Sequence, residues 1–232
     1  MADTLFKLPA APVIAVKGAR AGYPCGRIFC VGRNYAAHAA EMGNEVDREA
    51  PFYFTKSAAN AVLAGAEVPY PPGTENFHHE MELAVAVGAP LFRAPPETAM
   101  AAVFGYACAL DMTRRDLQQR ERQKQRPWDL GKDVEAGTVL GPITRAADWG
   151  GPGAQRIWLE VNGETRQDAH LSEMVWPVAH LLSHLSGFYH LRPGDLVLTG
   201  TPAGVGPVAA GDRLRGGIDG LEPVELALTA AE

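Results

Sequence analysis

Between His79 and Val87 the chain alternates, with Met81, Leu83, Val85 and Val87 on one parity and Glu80, Glu82, Ala84 and Ala86 on the other. This alternation predicts a strand whose large apolar side chains share one face, while two carboxylates stand beside alanines on the opposite face. Residues 103–111 repeat the design: Val103, Gly105, Ala107, Ala109 and Asp111 fall on one face, and Phe104, Tyr106, Cys108 and Leu110 on the other. Shorter apolar runs at 28–31, 52–55, 157–161, 196–198 and 224–228 predict further strands, bounded by turns rich in glycine and proline. Asn162-Gly163 predicts a type I′ hairpin, because both central positions require positive φ. Helical spacing is confined to 114–125, to a stretch from Ser172 or Trp176 to Tyr189 with Pro177 in its first turn, and to a short segment after Asn34 as N-cap that stops at Gly43. The sum is a strand-rich α+β domain with a few short helices.

The chain has 232 residues and no shift in composition, so one principal domain over 25–232 is expected, with 1–24 as an arm or hairpin packed on it. No secretory leader and no apolar run of membrane-spanning length is present, which predicts a cytoplasmic protein without membrane contact. Cys25, Cys30 and Cys108 match neither a disulfide set nor a zinc spacing and read as structural thiols. A formal charge of −6 without a basic stripe argues against a nucleic-acid partner. The one basic stretch, 114–126, interleaves Asp116 and Glu121 and reads as a solvated helix face. His180 and His184 lie among leucines with no acidic companion, so packing explains them. His78-His79-Glu80 lacks the second histidine of a zinc-protease helix.

Candidate chemistry starts from the acids. If the two alternating strands lie side by side, Glu80, Glu82 and Asp111 converge above small side chains. Such carboxylates repel one another unless they are solvated, protonated or bridged by a cation. Glu-x-Glu alone reads as a solvent-facing edge; a third acid on a small-residue face turns the reading toward a hard cation, Mg²⁺ or Mn²⁺. His38 and Glu41, at i and i+3 on the short helix, are either a base pair able to deprotonate water or an ordinary surface pair. Lys56 ends a strand and Lys132 follows Gly131; each can hold a carboxylate or an oxyanion, or simply face water. Residues 198–206 run into a glycine-rich turn carrying Thr199 and Thr201, compatible with close backbone approach to a ligand and lacking the lysine of a phosphate loop.

These pieces resemble the fumarylacetoacetate hydrolase family from about Ile28 to Gly211, in order: Gly32-Arg33-Asn34-Tyr35 with His38 and Glu41, Phe54-Thr55-Lys56, His78-His79-Glu80-Met81-Glu82, Leu110 through Asp116, Pro127-Trp128-Asp129 before Lys132, and Leu198-Thr199-Gly200-Thr201-Pro202 through Gly206. The resemblance implies a mixed β-sandwich roll, usually a homodimer, with one Mg²⁺ or Mn²⁺ per chain on Glu80, Glu82 and Asp111. It implies that His38 and Glu41 activate water from a mobile lid, that Lys132 and Thr201 assist, and that Arg33, Lys56 and Arg115 hold substrate carboxylates. The implied reaction is hydrolysis of a carbon–carbon bond in an acylpyruvate, a small diketo acid such as fumarylpyruvate, as in bacterial aromatic degradation. Oxaloacetate decarboxylation and a non-catalytic metal-binding scaffold are the alternatives. Two departures stand out: Ser57 where the family often has proline, and Lys132-Asp133-Val134-Glu135 where it often has a Lys-Ser/Ala-Phe-Asp run.

Overall fold

The computed structural model describes residues 5–6 and 10–232, so part of the expected N-terminal arm, residues 1–4 and 7–9, lies outside the described residues. Two sheets make the body. The larger runs in the order Phe52–Lys56, Ile28–Gly32, Leu196–Leu198, Met81–Val87, Val103–Asp111, Thr138–Leu140 and Ala61–Leu63, with Thr144–Arg145 also paired to Val103–Asp111. The second runs Glu164–His170, Arg156–Val161, Arg213–Ile218, Val224–Thr229 and Ala66–Pro69. A small third sheet joins Thr113–Arg114, Phe77–His79 and Gly206–Val208 beside the acidic strand. Among the described residues no helix is long and apolar enough to cross a membrane.

The alternation read from sequence sorts the two cores. Met81, Leu83, Val85 and Val87 enter the core between the sheets, against Ile157, Leu159, Leu214 and Leu226. The sheets approach closely where Gly216 crosses Met81; a Cβ on Gly216 would lie 2.4 Å from the Met81 sulfur. Ala84, Ala86, Ala107 and Ala109 face a second core with Ile14, Ile28, Leu140 and Leu198. Small residues belong there because the large sheet curls around that core. Its edge strands, Phe52–Lys56 and Ala61–Leu63, are joined only by residues 57–60. Such a link reaches about 18 Å at most, whereas six strand spacings of a flat sheet would separate the edges by roughly 29 Å. The sheet therefore rolls. Asp133 fastens the link, its Oδ1 accepting from the Ser57 N–H and the Asn60 side-chain amide, each at 2.9 Å. The two departures from the family pattern thus touch: Ser57 supplies an N–H that proline lacks, and Asp133 accepts it.

The N-terminal residues add a hairpin, Val13–Ile14 against Tyr23–Pro24, with Ile14 and Tyr23 buried in the second core. The Tyr23 hydroxyl lies 2.7 Å and 2.8 Å from the Val87 and Asp195 carbonyls and accepts the Gly194 N–H at 2.9 Å.

Some local expectations are corrected. A bulge pairs Ala86 with Gly105 but Val87 with Val103, so Phe104 is the extra residue. It reverses the expected faces at the start of that strand: Val103 joins the intersheet core, and Phe104 turns to the second core and stacks on Tyr23. The long helix is Val178–Ser186, preceded by Pro177, and residues 171–173 form a separate 3₁₀ turn. The short helix expected after Asn34 is Ala36–Glu41, with Tyr35 at its N-cap position. Asn34 does not cap it, because its side chain is taken by the Trp176 backbone and the Thr199 carbonyl. The Asn162-Gly163 turn has φ of 54° and 80°, the positive values its sequence requires.

If Asp133 fastens the roll, Asp133→Ala should lower unfolding stability by about 1–3 kcal/mol. Urea titration checks this, and a midpoint equal to wild type would contradict it.

Candidate active site

The acid cluster sits where the bulge-free half of the Met81–Val87 and Val103–Asp111 pair ends. Glu82 lies opposite Ala109, and the Asp111 N–H donates to the Glu80 carbonyl at 2.9 Å, which carries the ladder one step further. As a result Glu80, Glu82 and Asp111 each present a carboxylate oxygen within 4.8 Å of the others, and all three residues are buried. Bringing three negative charges together out of water is costly unless cations meet them.

Three buried cations do. Lys132 donates to Glu80 Oε2 at 2.7 Å, Asp111 Oδ2 at 2.8 Å and Thr113 Oγ1 at 2.8 Å. Arg115 donates to Glu80 Oε1 and to Gln118 Oε1. Lys56 reaches Asp111 Oδ1 at 2.5 Å, the Gly137 carbonyl at 3.0 Å and the Met112 carbonyl at 3.1 Å. Lys132 arrives there because the Asp129–Lys132 helix presses on the Arg115–Gln123 helix at Gly131, where a Cβ would come within 2.8 Å of Gln118.

Glu82 is the exception. Its carboxylate is held by the Gly200 N–H, Oε2 accepting at 2.7 Å, and among the described residues no cation bonds it. Burial, then the charges of Asp111 and Glu80, push its pKa well above the ordinary carboxylate value. Burial also opposes ionisation of Glu80, but Lys132 and Arg115 outweigh it and hold that pKa below the ordinary value. Burial works against the charge on Lys132, yet Asp111 and Glu80 prevail and keep it above the usual lysine value. Oxygen-only donors, buried and converging, with one carboxylate lacking a positive partner, fit a hard divalent cation.

Above the acids, His38 Nδ1 lies 3.2 Å from Glu41 Oε2, and Glu41 accepts the Gly204 N–H at 3.0 Å and 3.2 Å. His38 is buried, which pulls its pKa below the ordinary imidazole value; Glu80 and Glu41 only partly offset that pull. The ring is therefore neutral near pH 7, with one nitrogen directed by Glu41. His38, Glu80, Glu82, Arg115, Lys132, Thr201 and Arg33 all line one pocket, together with Phe54 and Trp128.

Lys56 needs correction. Expected among the groups that hold substrate carboxylates, it lies fully buried behind Asp111 with its three N–H donors already occupied, outside the pocket lining. The helix read as a solvated charged face also buries Arg115, Gln118 and Glu121. Two further residues support the site. Gln118, one turn after Arg115, lines the pocket and was legible as the i+3 neighbour of a named residue. Gln167 was not legible, since its strand reads as polar apart from Ala169; it is buried, accepts the Met81 N–H at 3.0 Å and donates to Thr201 Oγ1 at 2.8 Å. Because Thr201 accepts from Gln167, its own hydroxyl hydrogen is free to point into the pocket.

Fold and site together define a class: the chain belongs to the fumarylacetoacetate hydrolase family, whose model, described as fumarylacetoacetate (FAA) hydrolase C-terminal, matches residues 27–228. Among individual relatives, a fumarylpyruvate hydrolase from Ralstonia sp. is 47% identical over 197 residues, covering 82% of this chain and 100% of that protein. A crystal structure of fumarylpyruvate hydrolase from Pseudomonas aeruginosa in complex with Mn²⁺ and pyruvate superposes with a TM-score of 0.94 at 45% identity, covering 98% of this chain and 100% of that one. A mitochondrial oxaloacetate tautomerase from Arabidopsis thaliana is 40% identical over 199 residues, covering 86% of this chain and 89% of that protein.

The cation-free carboxylate gives a test. Glu82→Gln should raise the melting temperature of metal-free protein at alkaline pH, where Glu82 is forced to ionise without a cation beside it, and should abolish the rise that Mn²⁺ gives wild type. Calorimetry with and without Mn²⁺ reads both; an unchanged response to Mn²⁺ would contradict Glu82 as a ligand.

Proposed function

We propose that this chain is a metal-dependent hydrolase that cleaves the carbon–carbon bond of an acylpyruvate, with fumarylpyruvate giving fumarate and pyruvate. The observation that carries the reading is a buried three-carboxylate cation site in one pocket with a His-Glu pair. The cation is Mg²⁺ or Mn²⁺, one per chain, held by Glu80, Glu82 and Asp111; when bound it supplies a positive charge that attracts and polarises the α-keto acid end of the substrate. Three carboxylates and the three cations Lys56, Lys132 and Arg115 cancel, so the ion's charge is left for an anionic substrate to neutralise.

His38, kept neutral by burial, takes a proton from water, and Glu41, fixed by the Gly204 backbone, orients the ring and stabilises it once protonated. The water oxygen bonds to the distal carbonyl carbon. The adjacent carbon–carbon bond then breaks, its electron pair passes into the pyruvate enolate, and the former carbonyl leaves as a carboxylate. Lys132 and Arg115 stand beside the acids as fixed positive charges for the enolate oxygen, and the Thr201 hydroxyl donates to a substrate carboxylate. The enolate takes back the proton that His38 removed from water and departs as pyruvate, the acid proton of the new carboxyl group passes to solvent, and the ring is neutral again.

Several coarser traits go with this reading. Residues 25–232 form the catalytic domain, and the segment ending at Pro24 is an arm packed on it. A homodimer would cover Phe188 and Tyr189, which are 70% and 44% exposed. Three free buried thiols suit the cytoplasm, and the substrate suits aromatic-compound breakdown. Action on oxaloacetate is the second reading, favoured by the relative named for its tautomerisation.

Turnover of fumarylpyruvate and of oxaloacetate, with Mn²⁺ and with chelator, decides between them. Metal-dependent loss of diketone absorbance with release of fumarate is expected, and reaction of oxaloacetate alone would overturn the hydrolase. His38→Ala should lower kcat by about 10²–10⁴-fold while leaving the thermal shift with Mn²⁺ in place. In wild type, kcat/KM should be full where His38 is neutral and fall as pH drops through a value below 6.5, because the shift of His38 is downward.

A further inference from the structure

The pocket has a buried end, at Glu80, Glu82, Lys132 and Thr201, and a more exposed end lined by the half-buried Arg33, Met42 and Asn44 and the exposed Arg122. The buried end is built for the keto acid. The exposed end holds two guanidiniums that no carboxylate of the described residues neutralises. On the same helical stretch as Arg122, the acid Glu121 is already taken by Arg120 and Arg126. Arg122 instead donates to Asn44 Oδ1 from the far side of the pocket, which aims it. Arg33 sits at φ of 55°, a conformation L residues rarely adopt, and its guanidinium lies 5.6 Å from the centre of the Phe52 ring. The ring can lie there because Gly32 has no side chain; a Cβ would meet Phe52 at 2.0 Å. Burial and the neighbouring charge of Arg122 both weaken the proton's hold on Arg33, a sign that the two cations face each other.

We infer that Arg33 and Arg122 form a clamp for the far carboxylate of a dicarboxylic acylpyruvate, and that they set the preference for acyl groups ending in an anion. The inference rests on the acylpyruvate reading above and adds the residues that read the far carboxylate. With the keto acid end at the acid cluster, the acyl chain runs outward past Phe54 and Trp128, and its terminus meets the two guanidiniums. Two like charges held together over a pocket repel one another until an anion enters, so a terminal carboxylate gains from both. A methyl terminus gains nothing and leaves the repulsion in place.

The experiment compares the Mn²⁺-loaded enzyme on fumarylpyruvate and on acetylpyruvate, which lacks the far carboxylate. Arg122→Gln, and Arg33→Asn chosen because asparagine tolerates positive φ, should each lower the ratio of kcat/KM between the two substrates by about 10–100-fold, mainly through KM for fumarylpyruvate. Arg122→Lys should restore part of it. An unchanged ratio, or equal loss on both substrates, overturns the clamp. If wild type turns over neither substrate, the hydrolase reading fails, and the clamp is judged by calorimetric binding of fumarate against crotonate, its counterpart with one carboxylate. Tighter binding of fumarate that Arg122→Gln abolishes sustains the clamp; no preference for fumarate in wild type sinks it.

Discussion

Buried charge neutralisation is the constraint around which this molecule is arranged. Glu80, Glu82 and Asp111 are held together out of water, and the surrounding elements deliver Lys56, Lys132 and Arg115 to them from three directions. Breaking one partner of such a pair leaves an uncompensated ion inside the protein, typically a loss of about 3–5 kcal/mol. The cluster is therefore a structural commitment as well as a chemical one. Lys56 illustrates this: it ends an edge strand of the rolled sheet, and its ammonium reaches through the interior to Asp111 and the Gly137 carbonyl. Closing the roll and balancing the acids are one event.

Much of this was legible in the chain. The alternation at 81–87 assigned each side chain to its core, and the acids followed from the same parity. The hairpin at Asn162-Gly163 followed from a backbone requirement that few residue pairs meet. What sequence did not disclose depends on neighbours distant along the chain. The strand Arg213–Ile218 carries two arginines and two glycines, and its glycines are there because Met81 and the Trp158 ring occupy the space a side chain would take. Residues 164–170 look polar apart from Ala169, yet one of them, Gln167, is wholly enclosed because the turn after Thr201 folds over it. Phe104 broke its strand's parity through a bulge that no periodic pattern announces.

Lys56 and Lys132 show why charge type alone underdetermines role. Both read from sequence as cations able to hold a carboxylate or an oxyanion, and both are buried to a similar degree. The difference lies in which side of Asp111 each approaches. Lys132 comes from the Asp129–Lys132 helix and faces the pocket, whereas Lys56 comes from behind through the roll. Only the closure of the sheet decides that, and closure depends on a four-residue link and on Asp133.

One short turn touches both halves of the chemistry. The Gly200 amide holds Glu82 and the Gly204 amide holds Glu41, so the place of one buried carboxylate and that of the imidazole's partner are set by the same five residues. Any displacement of this turn therefore moves the Glu82 carboxylate and the carboxylate beside His38 together.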